Sequence, residues 1–298
     1  MKKVAVIDLG TNTFHLLIVE LQVEGFRELY RERRFIKLAE EGIETIGDAA
    51  FARALAAITA YAKKVAEMDV AEVQAFGTAA LRTAANGPQL MQEIKEKTGI
   101  SIQLIDGDKE ASLIHQGVIQ VVPMRKEPMM IMDIGGGSVE FIIADQEQVH
   151  WAQSFPIGVA VLYKRFHQTD PISSQQKIDL YHFLDQTLKP LKTALKEHPV
   201  QELVGASGTF DVLENMVTEK KPCPHCAEID TDRLRLVTGY IVASDLATRT
   251  AMDKMPPERA DLIVVALLLI DYVCKLAGIQ KIYVSAYAMK EGMIAEMR

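Results

Sequence analysis

Asp133-Ile134-Gly135-Gly136-Gly137-Ser138-Val139-Glu140-Phe141 is the stretch on which the reading of this chain turns. It follows the apolar run Met129–Met132 and leads into Phe141–Ala144, so the pattern is strand, Gly-rich tight turn, strand. Three consecutive glycines carry no Cβ, so the backbone N–H groups of such a turn can come right up against a ligand and form a nest for phosphate. Asp133 ends the incoming strand and Glu140 opens the outgoing one, so two carboxylates flank a phosphate-sized concavity. That combination points to a Mg²⁺ ion held near Asp133 and Glu140. The plainer reading is a glycine hairpin with two solvated acids.

A second copy weakens that plainer reading. Asp8-Leu9-Gly10-Thr11-Asn12-Thr13 lies between Val4–Ile7 and Leu16–Val19, and strand, Asp-x-Gly turn, hydroxyl residue and strand recur at a constant offset of 125 residues, from 8 to 133. Solenoid repeats have periods of roughly 20–50 residues, so this spacing implies two similar lobes whose phosphate loops face each other across a cleft. The copies differ at one informative place: Glu140 corresponds to His15.

At 298 residues the chain can bury two ordinary cores, and a net charge of −7 argues against non-specific binding of nucleic acid or of a membrane surface. A polyanionic partner must therefore be gripped by local basic pockets. Lys2 and Lys3 precede only a four-residue apolar run, too short for a signal-peptide core, and the most apolar stretch, Leu262–Ile270, is closed off by Asp261 and Asp271. A cytoplasmic location is expected. Three cysteines make no closed disulfide framework, and Cys223-Pro224-His225-Cys226 sits in Thr218–Asp232, which reads as a polar connector. Loop decoration is the reading of this pair, with metal or redox use as the alternative.

Along the chain, Phe26–Leu38 reads as further strand, with Arg31, Arg33, Arg34 and Lys37 mostly on a solvated face. An amphipathic helix is expected over Asp48–Met68, and Val73–Gly77 reads as a buried strand opening through Gly77-Thr78 into a helix that carries Arg82. Ile100–Ile105 leads into a turn and a helix with Glu110 in its first turn, where the helix dipole favours an acid whatever its function. Pro123–Pro128 is the expected boundary, giving lobes of residues 1–124 and 125–298. In the second lobe a helix over Ser173–His198 should kink at Pro190, Glu202–Gly208 runs into a third small-residue loop with Gly208 and Thr209, and Pro256–Gly278 reads as one apolar helix. Strand and helix alternate in both halves, which argues for α/β with mixed sheets.

Asp8-x-Gly-Thr-Asn-Thr, Gly77-Thr78-x-Ala-Leu-Arg82, Gly107-x-x-Glu110-Ala111, Asp133-x-Gly-Gly-Gly-Ser-x-Glu140, Ser207-Gly208-Thr209 and Glu258-Arg259-x-Asp261 occur in this order. Together they resemble the exopolyphosphatase and guanosine pentaphosphate phosphohydrolase family, within the superfamily of actin, sugar kinases and heat-shock ATPases. The resemblance spans nearly the whole chain. It implies duplicated ribonuclease-H-like (actin-like) lobes with a cleft between them, Mg²⁺, and hydrolytic removal of a terminal phosphate from polyphosphate or guanosine pentaphosphate, an alarmone of the stringent response. It makes Glu110 the candidate base and Glu140 its partner, with Asp8, Asp133 and Glu140 toward the metal. Thr11, Asn12, Thr13, Arg82, Gly135, Gly136, Gly137, Ser138, Gly208 and Thr209 become the phosphate-binding candidates. Asp106 before Gly107, Ala39, and Lys290 in Lys290-Glu291-Gly292 depart from the family's usual residues, which leaves substrate preference open. Longer members carry a further helical domain, and this sequence stops at Arg298, so the long basic channel that such a domain helps form is expected to be absent. Two other readings are a kinase of the same superfamily, for which no acceptor pocket is legible, and a non-catalytic alarmone or nucleotide sensor, which would have little use for Glu110 and Glu140. The oligomeric state is not fixed, and a homodimer is allowed.

Overall fold

In the computed structural model, which describes residues 2–298, the chain forms two mixed β-sheets with helices outside and between them. Strands β1 (Lys3–Leu9), β2 (Thr13–Leu21), β3 (Phe26–Phe35), β4 (Glu72–Gly77) and β5 (Ile102–Leu104) make the first sheet, in the order β3-β2-β1-β4-β5. The second contains β6 (Met129–Ile134), β7 (Val139–Ala144), β8 (Val149–Phe155), β9 (Glu202–Ala206), β10 (Thr218–Cys223), β11 (Cys226–Ile229) and β12 (Lys281–Ser285). Its order is β10-β11-β12-β9-β6-β7-β8. Both sheets therefore contain the same unit, an antiparallel three-stranded meander with a parallel strand beside its first member. The repeat read in the sequence is a repeat of topology, and the fold is the duplicated actin-like one.

The two-residue period of β-strands decides what each sheet turns inward. Ala5, Ile7 and Leu9 pack outward with α1 (Asp48–Glu67), α2 (Ala79–Thr83) and α3 (Gly87–Thr98), whereas Val4 and Val6 face the second sheet. Met130, Met132 and Ile134 face outward into a core shared with α5 (Val159–Phe166), α6 (Ser174–Thr187), α7 (Lys189–Glu197), α8 (Gly208–Val217), α9 (Thr231–Ala243, followed by the short α10, Leu246–Thr250) and α11 (Ile263–Ala277), and Met129 and Ile131 face the first sheet. Between the sheets lie α4 (Gly107–Val118) and α12 (Met289–Glu296), whose apolar residues share one core with both inner faces. Asp8 and Asp133 continue the inward-facing series Val4, Val6 and Met129, Ile131, so strand periodicity alone aims both carboxylates at the space between the lobes.

Close backbone approach holds α4 and α12 together. A Cβ on Gly117 would stand 1.9 Å from the Ala288 carbonyl oxygen, and one on Gly292 would stand 1.9 Å from that of Leu113. Charge links the lobes as well: Lys37 reaches Asp261 at 3.0 Å, and Arg31 reaches Glu291 at 2.9 Å.

Three expectations are corrected. Ser173–His198 is two helices meeting at Leu188, because Pro190 lacks an N–H and is accommodated in the first turn of a new helix. Pro256–Gly278 begins as a short 3₁₀ turn at Pro257–Arg259 before α11. Within Thr218–Asp232, residues Thr218–Ile229 form a β-hairpin on the sheet edge, where Cys223 and Cys226 are register partners joined by a disulfide, and not a loop. Among the described residues no helix is long and apolar enough to cross a membrane.

Candidate active site

The two glycine turns are built alike. Gly10 N–H donates to Thr13 O at 3.1 Å, and Gly135 N–H donates to Ser138 O at 3.0 Å. Asp8 is the register partner of His15 across β1–β2, as Asp133 is of Glu140 across β6–β7. Each turn has its carbonyls occupied from behind. Those of Thr11 and Asn12 accept from Ile36, Lys37 and Leu38, while those of Gly135, Gly136 and Gly137 accept from Val159, Ala160 and Gly158. With the carbonyls so engaged, the N–H edges are left to face the cleft, as an anion nest requires. The turns also meet. A Cβ on Gly136 would lie 2.7 Å from Asn12 Cγ, and one on Gly137 would lie 2.8 Å from Thr11 Oγ1, so glycine is what allows the contact.

Helix α4 supplies the third wall. Asp106 caps it by accepting from Lys109 N–H at 2.8 Å, and Gly107 lies so close to β8 that a Cβ there would stand 2.4 Å from Ser154 Cβ. This seating buries Glu110, whose Oε2 has no protein partner, on the same cavity as Glu140. Glu140 accepts from Ser154 Oγ at 2.6 Å, and Asp133 accepts from Ser207 Oγ at 3.0 Å. Burial pushes the carboxyls of Asp8 and Glu140 up to about 7 and that of Asp133 to about 6, and their mutual proximity adds to the rise at Asp8 and Glu140. Glu110 is raised well above the ordinary range, first by burial and then by Glu140, Asp8 and Asp133.

Cations complete the lining. Arg31, Arg33, Arg259 and Lys290 border the same cavity of about 240 Å³, and Lys290 favours the ionised forms of Asp8 and Asp133. Arg33 stands 3.8 Å from Asp211, and the Nε of Arg259 is buried without a partner. His15 is held neutral by burial and by these cations, and its Nε2 lies 3.0 Å from Thr13 Oγ1.

Of the residues read from the sequence, Asp8, Thr11, Asn12, Thr13, Glu110, Asp133, Gly135, Gly136, Gly137, Ser138, Glu140 and Gly208 line this one cavity. Arg82 lies in an adjoining cavity beside Gly137 and Ser138, with its guanidinium on the Ile105 carbonyl. Thr209 lines a small space shared with Asn12 and Arg259. Arg31 and Arg33 of β3 are exposed, as the solvated-face reading expects, and at the same time border the cleft. The signal was available in the register: Arg33 is the partner of His15, itself the partner of Asp8, so all three share the inward face. Ser207 reads in the sequence only as part of a small-residue loop and Lys290 only as a departure from the family's usual residue, and nothing local places either side chain in the cleft, since each follows a distant strand.

A divalent cation fits this chemistry. Buried acids without a matching positive charge are costly in their ionised form, and the unpartnered Glu110 Oε2 calls for a donor or a cation. Among the described residues no cluster of three or more His, Cys, Asp or Glu side chains forms a ready cage. A hard ion that keeps several waters and takes one or two carboxylates plus substrate oxygens suits such a site.

The model of the Ppx/GppA phosphatase family matches residues 17–298. The crystal structure of an exopolyphosphatase from Cytophaga hutchinsonii is 37% identical, superposes with a TM-score of 0.94, and the match covers 99% of this chain and 97% of that one. A Ppx/GppA family member from Aquifex aeolicus, 20% identical with a TM-score of 0.82 over 99% of this chain and 97% of its own, shares the fold. A Haemophilus influenzae protein is 25% identical over 297 residues, 99% of this chain and 91% of its own length.

Proposed function

The chain belongs to the Ppx/GppA phosphatase family, and on that premise we propose that it removes the terminal phosphate of inorganic polyphosphate by hydrolysis. One observation carries the reading: two opposed N–H-lined turns, the buried carboxylates of Glu110, Asp133 and Glu140 with half-buried Asp8, and four cationic side chains converge on a single cavity between the lobes. Phosphoryl transfer to water asks the protein for charge neutralisation, an in-line water and a stabilised leaving oxygen.

The residues divide those tasks by chemistry. The turn N–H groups, with Thr11, Thr13 and Ser138, bind the non-bridging oxygens of the terminal phosphate. Arg33, Arg259 and Lys290 take the charge of the following phosphates, and guanidiniums suit paired oxygens best. Glu110 and Glu140 orient water and accept its proton. Burial lifts Glu140 to about 7, so near neutral pH it is partly ionised and a stronger base than an exposed carboxylate, while Glu110, raised further, can act as a base only once a bound cation or substrate stabilises its ionised form. Asp8, Asp133 and Glu140 are the residues that would hold Mg²⁺, which when bound would neutralise phosphate oxygens.

The test is phosphate release from polyphosphate, guanosine pentaphosphate and ATP, each with Mg²⁺ and with excess chelator. Release from polyphosphate that stops in chelator supports the reading. Turnover of guanosine pentaphosphate alone would move the substrate to the nucleotide, and release undiminished by chelator would remove the metal.

A further inference from the structure

We propose that Cys223 and Cys226 are a thiol–disulfide exchange site whose state is passed to the catalytic cleft through Ala286–Lys290. The pair lies outside the cavity just described and takes no part in phosphate chemistry. Its Cα atoms are 5.1 Å apart, inside the span a disulfide bridges, and the bond closes the two-residue loop Pro224-His225 at the tip of the β10–β11 hairpin. Cys226 is buried in the core between the sheets, while Cys223 is half-buried. Cys223 is the more exposed of the two and so the sulfur that an external thiol would attack. The third cysteine, Cys274, has its thiol pushed up to about 12 by burial and stays out of exchange.

The route to the cleft is continuous. Cys226 is the register partner of Ser285, the last residue of β12, and the next N–H, that of Ala286, donates to His225 O at 2.9 Å. The His225 ring stacks on Tyr287 with centroids 4.9 Å apart, and Tyr287 stacks on Phe26 of the first sheet at 5.6 Å. Ser285 Oγ donates to the Tyr287 carbonyl at 2.6 Å and accepts its N–H at 3.2 Å. At the next residue, Ala288 N–H donates to Glu291, which also holds Arg31. Ala286, Ala288 and Lys290 line the cavity, so the loop that the disulfide closes leans directly on the backbone that presents Lys290.

The exchange balances with a dithiol as the reductant. One of its thiolates attacks Cys223 Sγ, the Cys223–Cys226 bond breaks, and Cys226 leaves as a thiolate that takes up a proton. The second thiol of the reductant then attacks the mixed disulfide and releases Cys223 as a thiol. Two electrons and two protons pass to the protein, and the reductant becomes a disulfide. Without the bond, the His225 loop gains freedom, and the segment it braces gains it as well.

The experiment compares full-length protein oxidised with diamide and reduced with dithiothreitol. Thiols are counted by alkylation and mass, hydrogen exchange is followed by peptide, and phosphate release is measured in parallel. The expected count is one thiol oxidised and three reduced, with several-fold faster exchange over 286–291 in the reduced form. The Cys223→Ser/Cys226→Ser double variant should exchange like the reduced form whatever the oxidant. A thiol count that does not change, or equal exchange over 286–291 in the two states, overturns the proposal. The activity arm rests on the function proposed above: reduction should raise KM for polyphosphate. If no polyphosphate is cleaved while exchange still follows the thiol count, the function falls and the coupling stands.

Discussion

Ser154 donates its hydroxyl to Glu140 over 2.6 Å, and the two are register partners across β7 and β8. The hydrogen bond favours the carboxylate form, opposing the burial that lifts Glu140 to about 7. Ser154→Ala removes that support, so the proton affinity of Glu140 rises further. A hydrogen bond to a charged group is worth about 1.5 kcal/mol, so the acid limb of the pH–rate profile should move up by about one unit. An unmoved limb in kcat/KM between pH 5 and 9 would show that Glu140 does not govern it.

Glu140→Gln and Glu110→Gln should each lower kcat by about 10² or more while leaving substrate affinity within a few-fold. Gln keeps the shape and removes the charge and the basicity, and the turn N–H groups that bind phosphate are untouched. Steady-state kinetics alongside equilibrium binding of polyphosphate separates the two effects. A loss confined to affinity would make the residue a binding group.

Metal-free protein should lose stability as pH rises from about 5 to 8. Asp8, Asp133 and Glu140 have folded-state values of about 7, 6 and 7, above the ordinary carboxylate range. Groups raised on folding stabilise fully below their unfolded values, and that stabilisation is lost as pH climbs through the folded ones. Mg²⁺ should therefore raise Tm more at pH 8 than at pH 5.5, and Glu140→Gln should flatten the metal-free trend. Thermal melts in chelator and in Mg²⁺ at both pH values give the comparison.

Gly107→Ala places a methyl 2.4 Å from Ser154 Cβ, so the start of α4 must back away and carry Glu110 with it. Overpacking of this kind costs about 1–3 kcal/mol. A displacement near 1 Å at a positioned group can cost about 10²-fold in rate. The variant should melt lower and lose kcat beyond what its folded fraction explains. Full specific activity in the folded protein would show that α4 seating is not critical.

How much of this was legible depended on whether a residue's position follows from local pattern. The 125-residue offset and strand alternation place Asp8, Asp133 and Glu140 because a hairpin fixes its own geometry. Arg33 needed one more step, the register of β2 with β3. Lys290, in the first turn of α12, and Arg259, in the 3₁₀ turn before α11, are placed by tertiary packing, and no periodicity in their own segments foretells it. The cysteine hairpin was misread for a related reason: its edge strand β10 is polar and exposed, and its buried partner β11 is only four residues long, too short to show the apolar alternation that marks a strand.

The meeting of α12 with β1 bears on how the chain comes off the ribosome. Val4, Val6, Leu17 and Val19 share a core with Met289, Met293 and Ile294 of α12, a helix translated almost 270 residues after β2. Until then the inner face of the first sheet has only α4 and the second sheet to lie against. The nascent first lobe must keep that strip apolar and uncovered while the second is being made, a window in which a holding chaperone or a wrong partner can bind it. Final closure then waits on α12, when Gly117 and Gly292 let two backbones slide into contact.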